Sequence, residues 1–199
     1  DKMKFLDKKF TQETLKLALP VMLTQVGQVS VNLFDNIIVG KLLGAKALAS
    51  VSLGNAIFFS IFIFGLGFSL AIPPLVSEAH SQHNHDRINS FFRHGFVVNL
   101  TVGIILVGLI FGFIPFLPHL GQPKEILPDT VTFLSIVTLS IIPFMMFQTM
   151  REVSEGLSYT IGVTKATIFA NVINIILNYI FIKTFSWGVA GSAWATFIA

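Results

Sequence analysis

Between Lys16 and Lys41 the chain runs for 24 residues with one charged side chain, Asp35. As a helix this stretch measures about 36 Å, enough to cross the hydrocarbon core of a bilayer. Pro20 stands near its start, where a missing backbone N–H costs least. The helix is not apolar all round. Gln25, Gln28, Asn32 and Asp35 follow one another at spacings of three, four and three, which places them on one face. Lipid is a poor solvent for a carboxylate and three amides, so this face is expected to look into a bundle or a watery cavity. An ionisable group inside a span marks a functional site by default. Asp35 is therefore the centre of the expected site.

Composition agrees with a membrane solvent. Of 199 residues, 53% are hydrophobic and 12% charged, about half the charged share of a soluble domain. The expected class is an all-α, polytopic transmembrane bundle. A net charge of +3 without any dense basic patch does not point to nucleic acid. The absence of cysteine excludes disulfides and thiol chemistry. The basic, amphipathic start DKMKFLDKKFTQETLK is not a cleavable signal, because the apolar stretch after it is too long and lacks a small-residue cleavage site.

Taken in order, span one covers Leu17–Gly40, followed by a short loop turning at Gly44. Span two runs from about Ala47 to Val76, bent or ended by Pro73 and Pro74. A polar connection, SEAHSQHNHDRINSFFRH, leads to span three at about Gly95–Phe116. Span four covers about Thr130–Met150 and is interrupted by Pro143; span five covers about Ala166–Ile182. A sixth span opens at Gly188 and reaches only Ala199, about a dozen residues where about 20 are needed. The chain is thus expected to be part of a longer protein. With the N-terminus inside, nine lysines and arginines fall on inner segments and four (Lys41, Lys46, Lys124 and Lys183) on outer ones. The positive-inside rule favours this cytoplasmic N-terminus in a cell membrane, inner or plasma.

Span five carries a second polar stripe, Asn171, Asn174 and Asn178. Asp35 lies six residues before Lys41 and Asn178 five before Lys183. If both lysines mark the outer interface, the two side chains share a depth about 8–9 Å inside it. Thr196, on the span running back inward, reaches a comparable level. One carboxylate, several amides and a hydroxyl at one depth describe a small polar site for a cation or a proton. Asn and Gln also serve as interhelical glue, worth about 0.6 kcal/mol each, and that is the reading for Asn171 and Gln25. For Asp35 the balance reverses, because a carboxylate costs about 2.5–3.5 kcal/mol at mid-helix.

The ordered set Pro20, Gln28, Asn32, Asp35, Gly40, Gly44 and Ala47 resembles the first helix and loop of the multidrug and toxic compound extrusion (MATE) family. Gly65 and Gly67 in span two, Arg151, Glu155 and Gly156 after span four, and Asn174 with Asn178 in span five resemble it too, so the likeness runs from about Phe10 to Ala199. The resemblance implies twelve helices in two bundles of six, related by a pseudo-two-fold axis along the membrane normal. It implies export of small organic cations, amphipathic compounds or drugs in exchange for H⁺ or Na⁺, with no cofactor beyond the coupling ion. Residues 1–199 would be the N-terminal lobe, with five complete spans and the start of a sixth, and the C-terminal lobe of the same protein its partner. Asp35 matches the family's first-helix acidic residue, tied to cation coupling. Gln28, Asn32, Asn174, Asn178 and Thr196 are the residues expected around it, and Pro20, Pro73, Pro74 and Pro143 the expected helix bends. One branch of the family has an Asp where this chain has Asn178, so the nearer likeness is to the bacterial efflux branch with acidic residues in the second lobe. After helix two the family tends to have Gly-Ala, where this chain has SEAHSQHNHDR.

Two other readings stand beside this one, an enzyme from a different class and a second kind of transporter. His80, His83 and His85, beside Glu78 and Asp86, have the look of a metal box of a membrane oxidase or desaturase. Such a site needs further ligands, and only His94 and His119 remain; the plainer reading is a solvated loop. A flippase of lipid-linked saccharides would share the superfamily architecture but would line its bundle with cations for the pyrophosphate. Spans one, two, three and five carry no Lys or Arg as drawn. Gly65-Leu66-Gly67 is no nucleotide loop, since no strand precedes it. Gly108 with Gly112, and Gly191 with Ala195, read as small-residue packing faces, and Arg151, Glu152 and Glu155 as an ion pair steadying a loop.

Overall fold

The computed structural model describes residues 8–199, apart from the side chains at 8–11, 13, 14, 16, 17, 20, 21, 24, 25 and 28 of the first helix. Every regular element among them is helical. α1 covers Lys8–Leu43, α2 Ala45–Ser69, α3 Ile72–Ser81 and α4 His85–Phe113, which tightens into a 3₁₀ segment at Ile114–Leu120. α5 covers Leu127–Leu139, α6 Ile141–Gly156, α7 Thr160–Tyr179 with a π turn at Ile180–Thr184, and α8 Gly188–Ile198.

The breaks between these helices have local causes. Gly44 separates α1 from α2 at φ 88°, a conformation that costs a glycine little and other residues much. Asn84 caps α4 by accepting from the backbone N–H of Arg87 at 3.0 Å. The connection read as a polar loop over residues 77–94 is therefore a turn of a few residues between two helices. Pro73 and Pro74 stand in the first turn of α3, where their missing N–H groups would have bonded the carbonyls at the end of α2. The break falls upstream of them at Leu70 and Ala71, and the chain goes on as helix to Ser81 rather than stopping at Val76. α5 and α6 meet at Ser140 with a bend of 41°, three residues before Pro143, which cannot donate to the carbonyl of Leu139. α1 is helical through position 20; the Pro20 side chain lies outside the described residues.

Ala45–Ser81, His85–Leu120 and Thr160–Thr184 are long and apolar enough to cross a membrane, and Leu127–Gly156 makes a fourth such unit if taken as one bent span. α1 has 36 residues, well above the about 20 a crossing needs. α8 is a shorter apolar helix. Large apolar side chains face outward, among them Val29, Phe64 and Phe169. That is the surface of a multi-pass membrane protein, whose solvent is lipid.

Inside, Val51, Phe62, Leu106, Leu134, Ile141 and Met145 form a core between α2, α4, α5 and α6. Gly65 admits Leu106 and Met145 to this core, since a Cβ there would lie 2.6 Å from Leu106 Cδ1. Beside the α2–α3 break, Ser69 Oγ donates to Asn99 Oδ1 at 3.1 Å and Asn99 Nδ2 donates to Thr149 Oγ1 at 2.8 Å, tying α2, α4 and α6 together. At the end of the bundle away from Gly44, Ile72, Val76, Ala79, Ile88 and Val153 join α3, α4 and α6.

Candidate functional site

α1 and α7 pack closely along their lengths, and Gly27 is one reason: a Cβ there would lie 2.9 Å from Asn171 Nδ2. This approach brings the two polar stripes together. Asp35 of α1 is 8% exposed and Asn178 of α7 fully buried. Asn178 Nδ2 donates to Asp35 Oδ1 at 2.5 Å. One turn away, Asn174 Nδ2 donates to Thr196 Oγ1 of α8 at 3.5 Å, and Thr196 Oγ1 donates to the carbonyl of Ser192 at 3.1 Å. α7 and α8 are joined by a short turn and run antiparallel, so Ser192, one turn back from Thr196, comes level with Asn178.

The oxygens of this cluster are under-used. Asn174 Oδ1, Asn178 Oδ1 and Ser192 Oγ are buried and have no hydrogen-bond partner among the described residues. A buried acceptor left unpaired costs roughly 1–3 kcal/mol. A carboxylate, amide carbonyls and hydroxyls form a donor set that suits a hard cation, with the carboxylate supplying the charge.

The structure thus brings together four of the six residues expected around the site: Asp35, Asn174, Asn178 and Thr196. Asn32 lies half-buried on the same helix as Asp35. The Gln28 and Gln25 side chains lie outside the described residues. Ser192 was hidden in the sequence, because the stretch around it reads as a small-residue packing face.

Other expectations are corrected. His80, His83 and His85 are all exposed at the turn between α3 and α4. Among the described residues no three His, Asp or Glu side chains are placed to hold a metal ion, so the metal box has no geometric support. The ion pair at the end of α6 exists, from Arg151 Nε to Glu155 Oε1 at 2.8 Å. Glu152 takes no part in it: its Oε1 accepts from Gln148 Nε2 at 2.5 Å inside the bundle.

A family model described as MatE matches residues 20–180. Among curated proteins, the chain is 27% identical over 172 residues to the multidrug resistance protein NorM of Photobacterium profundum, covering 86% of this chain and 38% of that protein. It is 30% identical over 192 residues to the probable multidrug resistance protein NorM of Acinetobacter baylyi, covering 94% of this chain and 42% of that one. The chain spans about two fifths of the length of these relatives. Among solved structures, it is similar in fold to a multidrug resistance MATE family transporter of the MOP superfamily in an outward-facing conformation. That match has a TM-score of 0.82 at 21% identity, over 92% of this chain and 41% of that one. A MOP superfamily transporter from Pyrococcus furiosus matches with a TM-score of 0.80 at 21% identity, over 92% and 41%.

Proposed function

The chain belongs to the MatE family, and from that premise we propose that it is the first lobe of a secondary transporter that exports small organic cations or amphipathic drugs in exchange for H⁺ or Na⁺. The observation that carries this reading is the Asp35–Asn178 contact, with the unpaired oxygens of Asn174, Asn178 and Ser192 around it. Asp35 supplies the charge that a coupling cation neutralises. Asn178 holds the carboxylate in place, and Asn174 and Thr196 fix the neighbouring turn of α7 and α8. Gln28 and Asn32 extend the same face of α1.

Exchange requires that cation and drug favour different arrangements of the lobes, since a ligand shifts an equilibrium only by its differential affinity. The breaks at Leu70–Ala71 and Ser140 are the places where the helices can flex, with Pro73, Pro74 and Pro143 keeping their backbone hydrogen bonds unmade. The N-terminus sits on the cytoplasmic side of the cell membrane in this reading, the orientation that the excess of basic residues favours, and a C-terminal lobe completes the pathway. Arg151 is the buried cation among the described residues, and Glu155 already neutralises it. An interior of this kind suits a cationic substrate better than the pyrophosphate of a lipid-linked saccharide.

The test is transport in proteoliposomes made with the protein that carries this chain. Under an imposed H⁺ or Na⁺ gradient, ethidium should move against its own gradient while an anionic dye stays in place. Failure of ethidium and other organic cations to move under either gradient would remove the antiport reading.

A further inference from the structure

Asp35 has a counterpart at the other end of the bundle. Glu152 of α6 is 2% exposed, and the chain crosses the lobe between them, since α1 ends at the Gly44 turn and α6 ends beside the α3–α4 turn. Gln148, one helical turn before it, is 4% exposed. Gln148 Nε2 donates to Glu152 Oε1. Glu152 Oε2 and Gln148 Oε1 are both buried without a hydrogen-bond partner among the described residues.

Among the described residues no cation forms an ion pair with this carboxylate: the attraction of nearby Arg151 is opposed by the repulsion of Glu155. Arg151, its neighbour in sequence, turns its guanidinium to Glu155. On the packed elements, Glu78 and His80 of α3, Arg87, Arg93 and His94 of α4 and Lys165 of α7 are exposed. His85 and Asp86 stand exposed at the start of α4, while Lys46 of α2, Asp129 of α5 and Tyr179 of α7 lie toward the far ends of their helices. A buried carboxylate with one oxygen unpaired, no ion pair of its own and a second carboxylate nearby is costly to keep charged, and taking up a proton or a cation relieves that cost. A metal cation would need several oxygens, whereas this pair offers two free ones. A proton needs one acceptor for the O–H it creates, and Gln148 Oε1 is that acceptor: turning the amide over presents its oxygen to the acid in place of its nitrogen.

We propose that Glu152 and Gln148 form a proton-binding site in this half of the lobe, separate from the Asp35 site and present whichever cation Asp35 takes. Its test is infrared difference spectroscopy of the carboxyl groups as the purified protein is titrated from acid to alkaline pH. Glu152→Gln should remove one protonated-carboxyl band that Asp35→Asn leaves in place. An unchanged carboxyl spectrum in Glu152→Gln would overturn the site. So would loss of the band on adding Na⁺ at constant pH, which would make it a metal site. Gln148→Met keeps the carboxyl group and removes its partner, and it reads the same site if Glu152→Gln does not fold. The midpoint of the Glu152 band should then move by about one pH unit, a tenfold change in proton affinity. An unmoved midpoint would contradict the pairing.

Discussion

Asn178 and Asp35 stand 143 residues apart in the chain, yet the amide of one donates to the carboxylate of the other across 2.5 Å. The bond ties α1 to α7, so a change in the charge of Asp35 is felt at once by a helix that arrives much later in the sequence. Thr196 and Ser192 of α8 complete the neighbourhood through Asn174.

Replacing Asn178 by Ala should remove that tie and leave the carboxylate buried without its donor. Leaving a buried acceptor unpaired costs about 1–3 kcal/mol, so the loss of stability should fall in that range. Denaturation of the purified protein measures it. Ion-driven export should fall much further than stability does, and equal losses would make Asn178 a structural residue only.

Ser192→Ala tests the one residue of the cluster that the sequence did not announce. If its unpaired hydroxyl faces the coupling cation, the cation concentration for half-maximal transport should rise about two- to tenfold, the equivalent of one hydrogen bond. An unchanged concentration dependence would place the hydroxyl outside the site.

Much of this cluster was legible from periodicity. The spacing of Gln28, Asn32 and Asp35 on α1 and of Asn174 and Asn178 on α7 announces two polar faces, and the lysines after each stripe place Asp35 and Asn178 at one depth. What periodicity could not show is direction about a helix axis. Arg151, Glu152 and Glu155 looked alike as charges near a helix end, but the packing of α6 turns Glu152 inward and leaves Arg151 and Glu155 to each other. The Ser69–Asn99–Thr149 chain was equally hidden, because its members come from three helices with no shared spacing. The polar run between α3 and α4 read as loop because composition marks solvent exposure, and exposed helical turns are polar too.

Two glycines of similar appearance should behave differently. A Cβ at Gly156 would lie 2.8 Å from the carbonyl oxygen of Pro73 and 2.8 Å from Val76 Cβ, whereas one at Gly67 meets nothing within 4 Å. Gly156→Ala should destabilise the protein by about 1–3 kcal/mol, as overpacking does. Gly67→Ala should stay within about 0.5 kcal/mol. Thermal unfolding of the two variants in the same detergent decides it.

Pro143→Ala restores an N–H that can donate to the carbonyl of Leu139. The 41° bend between α5 and α6 should then decrease, and export should slow with it. A structure of the variant gives the angle and a vesicle assay the rate. An unchanged angle with an unchanged rate would mean that Ser140 and the surrounding packing set the bend.

In the proposed antiport, coupling depends on the charge of one side chain, and Asp35→Asn changes that charge with little change of shape. The decisive measurement is drug efflux from vesicles holding the full-length protein, driven by an imposed H⁺ or Na⁺ gradient, with expression and thermal stability checked alongside. Ion-driven efflux should disappear in the Asp35→Asn protein while expression and folding are retained. Efflux at the normal rate would contradict the account and leave Asp35 as a structural residue of the first lobe.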